Sequence, residues 1–162
     1  MTTDSAGEGQ GATFTIPLPG SVSAVAQPRE VPAERRVALP RRVLLVEDNA
    51  DISDLIQMQL RMWGHEVSIA DDGPSGLEAA LGQRPDIAFV DVGLPGMDGY
   101  EVARQIRSAE GADRMRLVAM TGYGRPEDRE RALAAGFDAH LLKPVDPRQL
   151  QDVLDSQTLI PG

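Results

Sequence analysis

The chain has 162 residues, a formal net charge of −9, 41% hydrophobic residues and only 4% aromatic ones, so it can bury one aliphatic core and carry an appendage. Without cysteine and with two histidines it excludes a disulfide scaffold, thiolate chemistry and a multi-histidine metal cage. Its acidity argues against broad nucleic-acid binding, no apolar run approaches the roughly 18 residues of a membrane span, and the N-terminus lacks the pattern of a signal peptide.

Residues 1–11 are rich in Gly, Ser and Thr. Residues 12–19 alternate like a strand, with Phe14, Ile16 and Leu18 on one side and Thr13 and Thr15 on the other; Pro17 and Pro19 confine it to an edge. Residues 21–40 have no usable period and three prolines, which reads as a semi-extended linker.

From Arg41 the pattern changes. Val43–Val46 is a continuous apolar run, as expected for a strand buried on both faces. Asn49 caps a predicted helix whose Ile52, Leu55, Ile56, Leu60 and Trp63 share one face, with Gly64 as its stop. His65-Glu66 reads as a loop pair before a short strand, Val67–Ala70. Asp72-Gly73-Pro74 turns into a helix carrying Leu77, Ala80 and Leu81. Ile87–Val90 is a further apolar strand that ends at Asp91. A loop, Gly93–Gly99, leads to a helix with Val102, Ala103 and Ile106. Leu117–Met120 is a strand ending at Thr121, and Pro126 with Glu127 and Asp128 opens a helix that Gly136 closes. Ala139–Leu142 is the last strand, ending at Lys143, before a helix capped by Asp146-Pro147 and carrying Leu150, Val153 and Leu154. Five strands alternating with five helices predict an α/β fold, a parallel sheet with helices on both faces.

Ligands of such sheets bind beyond the carboxyl ends of the strands. Those ends carry Glu47 and Asp48, then Asp91, then Thr121, then Lys143, the single lysine among 16 basic residues. Carboxylates gathered this closely need a cation to stay ionised, and an all-oxygen set suits a hard ion, Mg²⁺ or Mn²⁺. Lys143 supplies a second positive clamp for a phosphoryl group, and the Thr121 hydroxyl with the Gly122 backbone N–H suits another phosphoryl oxygen. Asp91 ends the central strand beside a flexible loop, which makes it the candidate nucleophile for an acyl phosphate.

The stretches VLLVEDN (43–49), DIAFVDVGLPGMDGYE (86–101), LVAMTGY (117–123) and AHLLKPVD (139–146) give residues 43–156 a resemblance to receiver domains of two-component response regulators. The resemblance implies a flavodoxin-like five-stranded sheet of order 2-1-3-4-5, in a domain bounded at 41–157 with a short tail at 158–162. It implies Asp91 as phosphoacceptor; Asp48, Asp91 and the Gly93 carbonyl as Mg²⁺ ligands, with Glu47 completing the acidic pocket; and Thr121 and Lys143 as the groups that bind and signal the phosphoryl. The Lys143-Pro144 bond is expected to be cis. The implied partners are a histidine kinase or a histidine phosphotransfer protein. The implied output surface is the fourth helix, fifth strand and fifth helix of a monomer. The family's switch residue, three before the lysine, is usually Tyr or Phe; here it is His140.

GEGQGATFTIPLP (7–19) resembles the last strand of the ATP-binding domain of sensor histidine kinases. This implies that residues 1–20 are a remnant of that domain, joined by the linker 21–40 to the C-terminal receiver of a hybrid kinase. The setting is then cytoplasmic, with any membrane anchor in the parent kinase. No kinase active site and no DNA-recognition helix is legible here, so transfer to Asp91 is the chemistry expected. The competing readings are an aspartyl-phosphate phosphohydrolase and a receiver-like module that is not phosphorylated. The first wants an acid two residues after the nucleophile, where Gly93 stands; the complete set of site residues counts against the second. Gly93 has no side chain to orient water, and Tyr123 is placed to shield the acyl phosphate, which together predict slow self-hydrolysis.

Overall fold

A computed structural model describes residues 39–156. The expected kinase remnant and the 158–162 tail lie outside the described residues, as does the predicted linker except at its last two positions. Five strands, β1 (Arg42–Val46), β2 (Glu66–Ala70), β3 (Ile87–Asp91), β4 (Arg116–Thr121) and β5 (Ala139–Leu142), alternate with five helices, α1 (Ala50–Met62), α2 (Gly73–Gln83), α3 (Gly99–Arg107), α4 (Pro126–Ala135) and α5 (Pro147–Asp155). All strand pairs are parallel, in the order β2-β1-β3-β4-β5. The expected α/β architecture and strand order are both present.

The apolar runs become strands because both faces of the sheet are covered, so successive residues are buried alternately above and below. On one face Leu44, Val46, Ala88, Val90, Leu117 and Ala119 pack with the buried sides of α2, α3 and α4. On the other, Val43, Leu45, Ile87, Phe89, Val118 and Met120 meet Ile56 and Leu60 of α1 and Leu150 and Leu154 of α5. Every residue of β3 is buried, so Asp91 leaves the sheet at its most solvent-shielded strand. Fully burying one such Leu or Phe contributes about 1.5–3 kcal/mol.

Acidic or amide side chains start four of the helices: Asn49, Asp72, Asp98 and Asp146 each accept a hydrogen bond from a backbone N–H of the first turn. Two expectations fail locally. Leu55 is 64% exposed, because Ile52, Ile56, Leu60 and Trp63 define the inward stripe and position 55 falls well outside it. His65 stands in the connection as expected but is buried, and Glu66 already begins β2, so the loop reading fails for Glu66; the Nδ1 of His65 accepts the Arg41 N–H at 3.2 Å and ties the residue before β1 to the residue before β2. Among the described residues no helix is long and apolar enough to cross a membrane.

Candidate functional site

The parallel strands deliver their carboxyl ends to one edge, where Glu47 follows β1, Asp91 ends β3, Thr121 ends β4 and Lys143 follows β5. Glu47, Asp91 and Thr121 are buried, and Asp48 is exposed. Carboxylate oxygens of Glu47, Asp48 and Asp91 lie within 4.8 Å of one another. The ammonium of Lys143 sits between two of them, 2.6 Å from Glu47 Oε2 and 3.0 Å from Asp91 Oδ2. Burial by itself would lower the pKa of Lys143, but hydrogen bonds to Glu47 and Asp91 and their charges outweigh it, so the amine is held above its ordinary value. The lysine is a fixed cation here.

Backbone groups hold the acids in place. Glu47 donates its N–H to the Ala70 carbonyl at 3.0 Å, while its Oε1 accepts the Asn49 N–H at 3.1 Å. Asp91 Oδ1 accepts the Gly93 N–H at 2.9 Å. The Lys143 N–H donates to the Thr121 carbonyl at 2.7 Å, which fixes the lysine strand against β4, and the Lys143-Pro144 peptide is cis as expected. Two negative charges remain uncompensated: three carboxylates are gathered beside a single ammonium. An excess of negative charge in a partly desolvated, all-oxygen pocket is the chemistry that a divalent cation satisfies, and the residues present fit one.

The structure brings Glu47, Asp48, Asp91 and Lys143 together as expected. Thr121 stands at the same edge, but its hydroxyl is turned to its own loop: it accepts the Tyr123 N–H at 3.0 Å and donates to the Tyr123 carbonyl at 3.2 Å. Tyr123 therefore engages this end through its backbone, while its side chain is 69% exposed; the expected shield is not formed in this state. Gly122 is exposed and a Cβ there would meet nothing within 4 Å, so its backbone is open to a ligand. Gly93 is close: a Cβ there would stand 3.4 Å from Asp91 Oδ1.

His140 lies on β5 opposite Ala119 of β4, half-buried, and its Nε2 is buried with no hydrogen-bond partner among the described residues. Two supports escaped the reading of the sequence. Asn49 is a helix cap by pattern, yet its N–H also anchors Glu47. Gly99 lets α3 close on the acceptor strand, since a Cβ there would stand 2.4 Å from the Asp91 carbonyl oxygen. Nothing in composition marks either role.

The sequence model of the family described as response regulator receiver domain matches residues 43–155. The Escherichia coli (strain K12) sensor protein EvgS is 31% identical over 139 residues, 85% of this chain but 11% of its own length. The chain thus spans about a tenth of that relative. Among solved structures, the receiver domain of sensor histidine kinase PA1611 from Pseudomonas aeruginosa PAO1, described with a magnesium ion coordinated in its active-site cleft, is 36% identical, with a TM-score of 0.66 over 71% of this chain and 94% of that one. The receiver domain of the Saccharomyces cerevisiae response regulator Ssk1, co-crystallised with the histidine phosphotransfer protein Ypd1, is 26% identical, with a TM-score of 0.68 over 71% of this chain and 86% of that one.

Proposed function

This chain belongs to the family of response-regulator receiver domains of two-component systems, and from that premise we propose that Asp91 accepts a phosphoryl group from a phosphohistidine. One observation carries the assignment: Asp91 is the carboxylate at the end of the fully buried central strand that lies within reach of both the acidic cluster and the Lys143 ammonium. In the transfer an Asp91 carboxylate oxygen forms the new P–O bond as the P–N bond of the donor breaks, and the electron pair returns to the imidazole nitrogen.

Glu47, Asp48, Asp91 and the Gly93 carbonyl would hold Mg²⁺. When bound, the ion supplies neutralising charge to the phosphoryl oxygens. The residues of the chain do the remainder. Lys143 offers a fixed positive charge to the incoming group. Gly122 offers an open backbone N–H. Thr121 exchanges its hydrogen bonds to Tyr123 for one to the phosphoryl, which draws in the loop between β4 and α4 and changes the surface of α4, β5 and α5.

The partner this chemistry requires is a histidine kinase or a histidine phosphotransfer protein; Ssk1, in complex with Ypd1, is a similar domain with such a partner. The alignment with EvgS is longer than the 43–155 span and so takes in residues outside it. That supports reading residues 1–40 as the end of a kinase segment and a linker, and the chain as the receiver-bearing part of a longer sensor protein.

The test is incubation with Mg²⁺ and a small phosphodonor such as acetyl phosphate. The expected product is one acid-stable, base-labile phosphate per chain, absent in Asp91→Asn. Many turnovers of donor would instead establish a phosphohydrolase, and no label at all would establish a module that is not phosphorylated.

A further inference from the structure

The opposite end of the sheet, remote from Asp91, carries a second candidate site. A cavity of ≈ 530 Å³ opens where β1, β3 and β4 begin, within the roughly 300–1,000 Å³ typical of small-ligand pockets. Ala80, Pro85, Ala112 and Met115 give it an apolar floor, all of them buried. Arg42, Arg84 and Arg114 are among its lining residues, with Asp86 and Glu110 beside them.

The three arginines are not equivalent. Arg42 is spent: it donates to the Gln83 and Arg84 carbonyls at the end of α2 and pairs with Asp86. Arg84 and Arg114 have no carboxylate within 4.0 Å among the described residues.

The placement of Arg84 is also built. It caps α2 with φ 48° and ψ 64°, the left-handed region where helix ends favour glycine or asparagine. Its guanidinium reaches the turn before β4, where Gly111, itself at φ 78°, has no side chain; a Cβ there would stand 3.1 Å from Arg84 Nη1. Gly111 is suited to its own positive φ, and its lack of a side chain leaves room for the Arg84 head group. The strain at Arg84 points to function.

We infer that this cavity binds a small phosphate ester, with the phosphate on Arg84 and Arg114 and the organic body on the apolar floor. A planar guanidinium matches two phosphate oxygens at once, and two such forks suit a dianion better than a lone carboxylate. The site does not depend on the chemistry at Asp91, which lies at the far end of β3.

The experiment titrates the full chain with adenosine 5′-monophosphate in magnesium-free buffer and follows backbone amide shifts. Saturable shifts are expected at residues 81–86 and 109–115. They should be weaker with inorganic phosphate, absent with adenosine, and unchanged by Asp91→Asn. Arg84→Gln and Arg114→Gln, both exposed and so compatible with folding, should each weaken affinity about tenfold; the dispersion of each variant's spectrum reports that it is folded. Shifts that fail to saturate, that fall at residues 91–93 and 121–123 instead, or that survive in the folded double variant would overturn the site. Equal affinity for phosphate and the nucleotide would overturn the role of the apolar floor.

Discussion

Gly93 gives Asp91 a hydrogen bond and withholds a side chain: its N–H donates to Oδ1 at 2.9 Å, while a Cβ on the same residue would stand 3.4 Å from that oxygen. An acid or amide at position 93 would overlook the phosphorus of an acyl phosphate on Asp91 and could orient an attacking water. With hydrogen there instead, the phosphorylated protein is expected to persist for minutes or longer. Gly93→Glu should shorten that lifetime by about tenfold or more, against the roughly hundredfold or more that a well-positioned general base supplies. The measurement is the decay of label after removal of the donor. A wild-type lifetime of seconds, or no change in Gly93→Glu, refutes the argument.

The acidic pocket is held together against its own charge. Glu47 and Asp91 share one ammonium and Asp48 is gathered beside them without it, so removing one carboxylate should relieve repulsion. Asp48 is exposed and its repulsion is screened, so Asp48→Asn should stabilise the fold by only about 0.5 kcal/mol. Mg²⁺ should do more: at a hundredfold excess over Kd, binding to the native state contributes about 2.7 kcal/mol. Urea unfolding with Mg²⁺ and with a chelator gives both numbers. The expected result is a Mg²⁺-dependent gain in the wild type that is largely lost in Asp48→Asn. An equal gain in the variant removes Asp48 from the metal site.

The frame of this domain and most of its site were legible because their physics is local. A strand buried on both faces reads as an unbroken apolar run, and Val43–Val46, Ile87–Val90 and Leu117–Met120 are such runs, each followed by its polar site residue. Strand order is not local, and it came from the resemblance to a family. Leu55 is apolar yet exposed, because its angular position on α1 lies outside the stripe of Ile52, Ile56, Leu60 and Trp63. The burial of His65 is not legible because its partner, the Arg41 N–H just before β1, is distant in sequence. Arg107 shows the limit most clearly. Its guanidinium donates to the carbonyls of Ala112, Met115 and Gly136 and to Asp138, joining α3 to the turn before β4 and to the connection between α4 and β5. Three of those acceptors are backbone atoms, which carry no signature in a sequence.

Lys143 should separate phosphorylation from signalling. Its ammonium occupies a gap between two buried carboxylates, 2.6 Å from Glu47 and 3.0 Å from Asp91. A planar guanidinium keeps the charge but cannot occupy the same point. Lys143→Arg is expected to take up phosphoryl within about tenfold of the wild-type rate, a barrier change of ~1.4 kcal/mol, yet to lose the change at α4, β5 and α5. Amide shifts of those elements before and after phosphorylation measure the second effect. A wild-type response in Lys143→Arg would show that the clamp does not need a point charge.

His65 should make stability sensitive to mild acid. Burial holds its imidazole below the ordinary pKa of 6.5, the Arg41 charge adds to this, and Asp155 opposes it. The neutral ring is also the form that accepts the Arg41 N–H through Nδ1. A histidine whose pKa is lower folded than unfolded binds fewer protons in the native state, so its contribution is complete above about pH 6.5 and is lost as pH falls from there through the folded value. Carboxylates titrate at lower pH, and comparison with a variant removes their share. His65→Gln retains an acceptor without a titrating ring. Urea midpoints between pH 7.5 and 5.5 should therefore fall more steeply for the wild type than for His65→Gln. Parallel pH profiles would show that the proton reaches this ring in the native state as freely as it does in the unfolded chain.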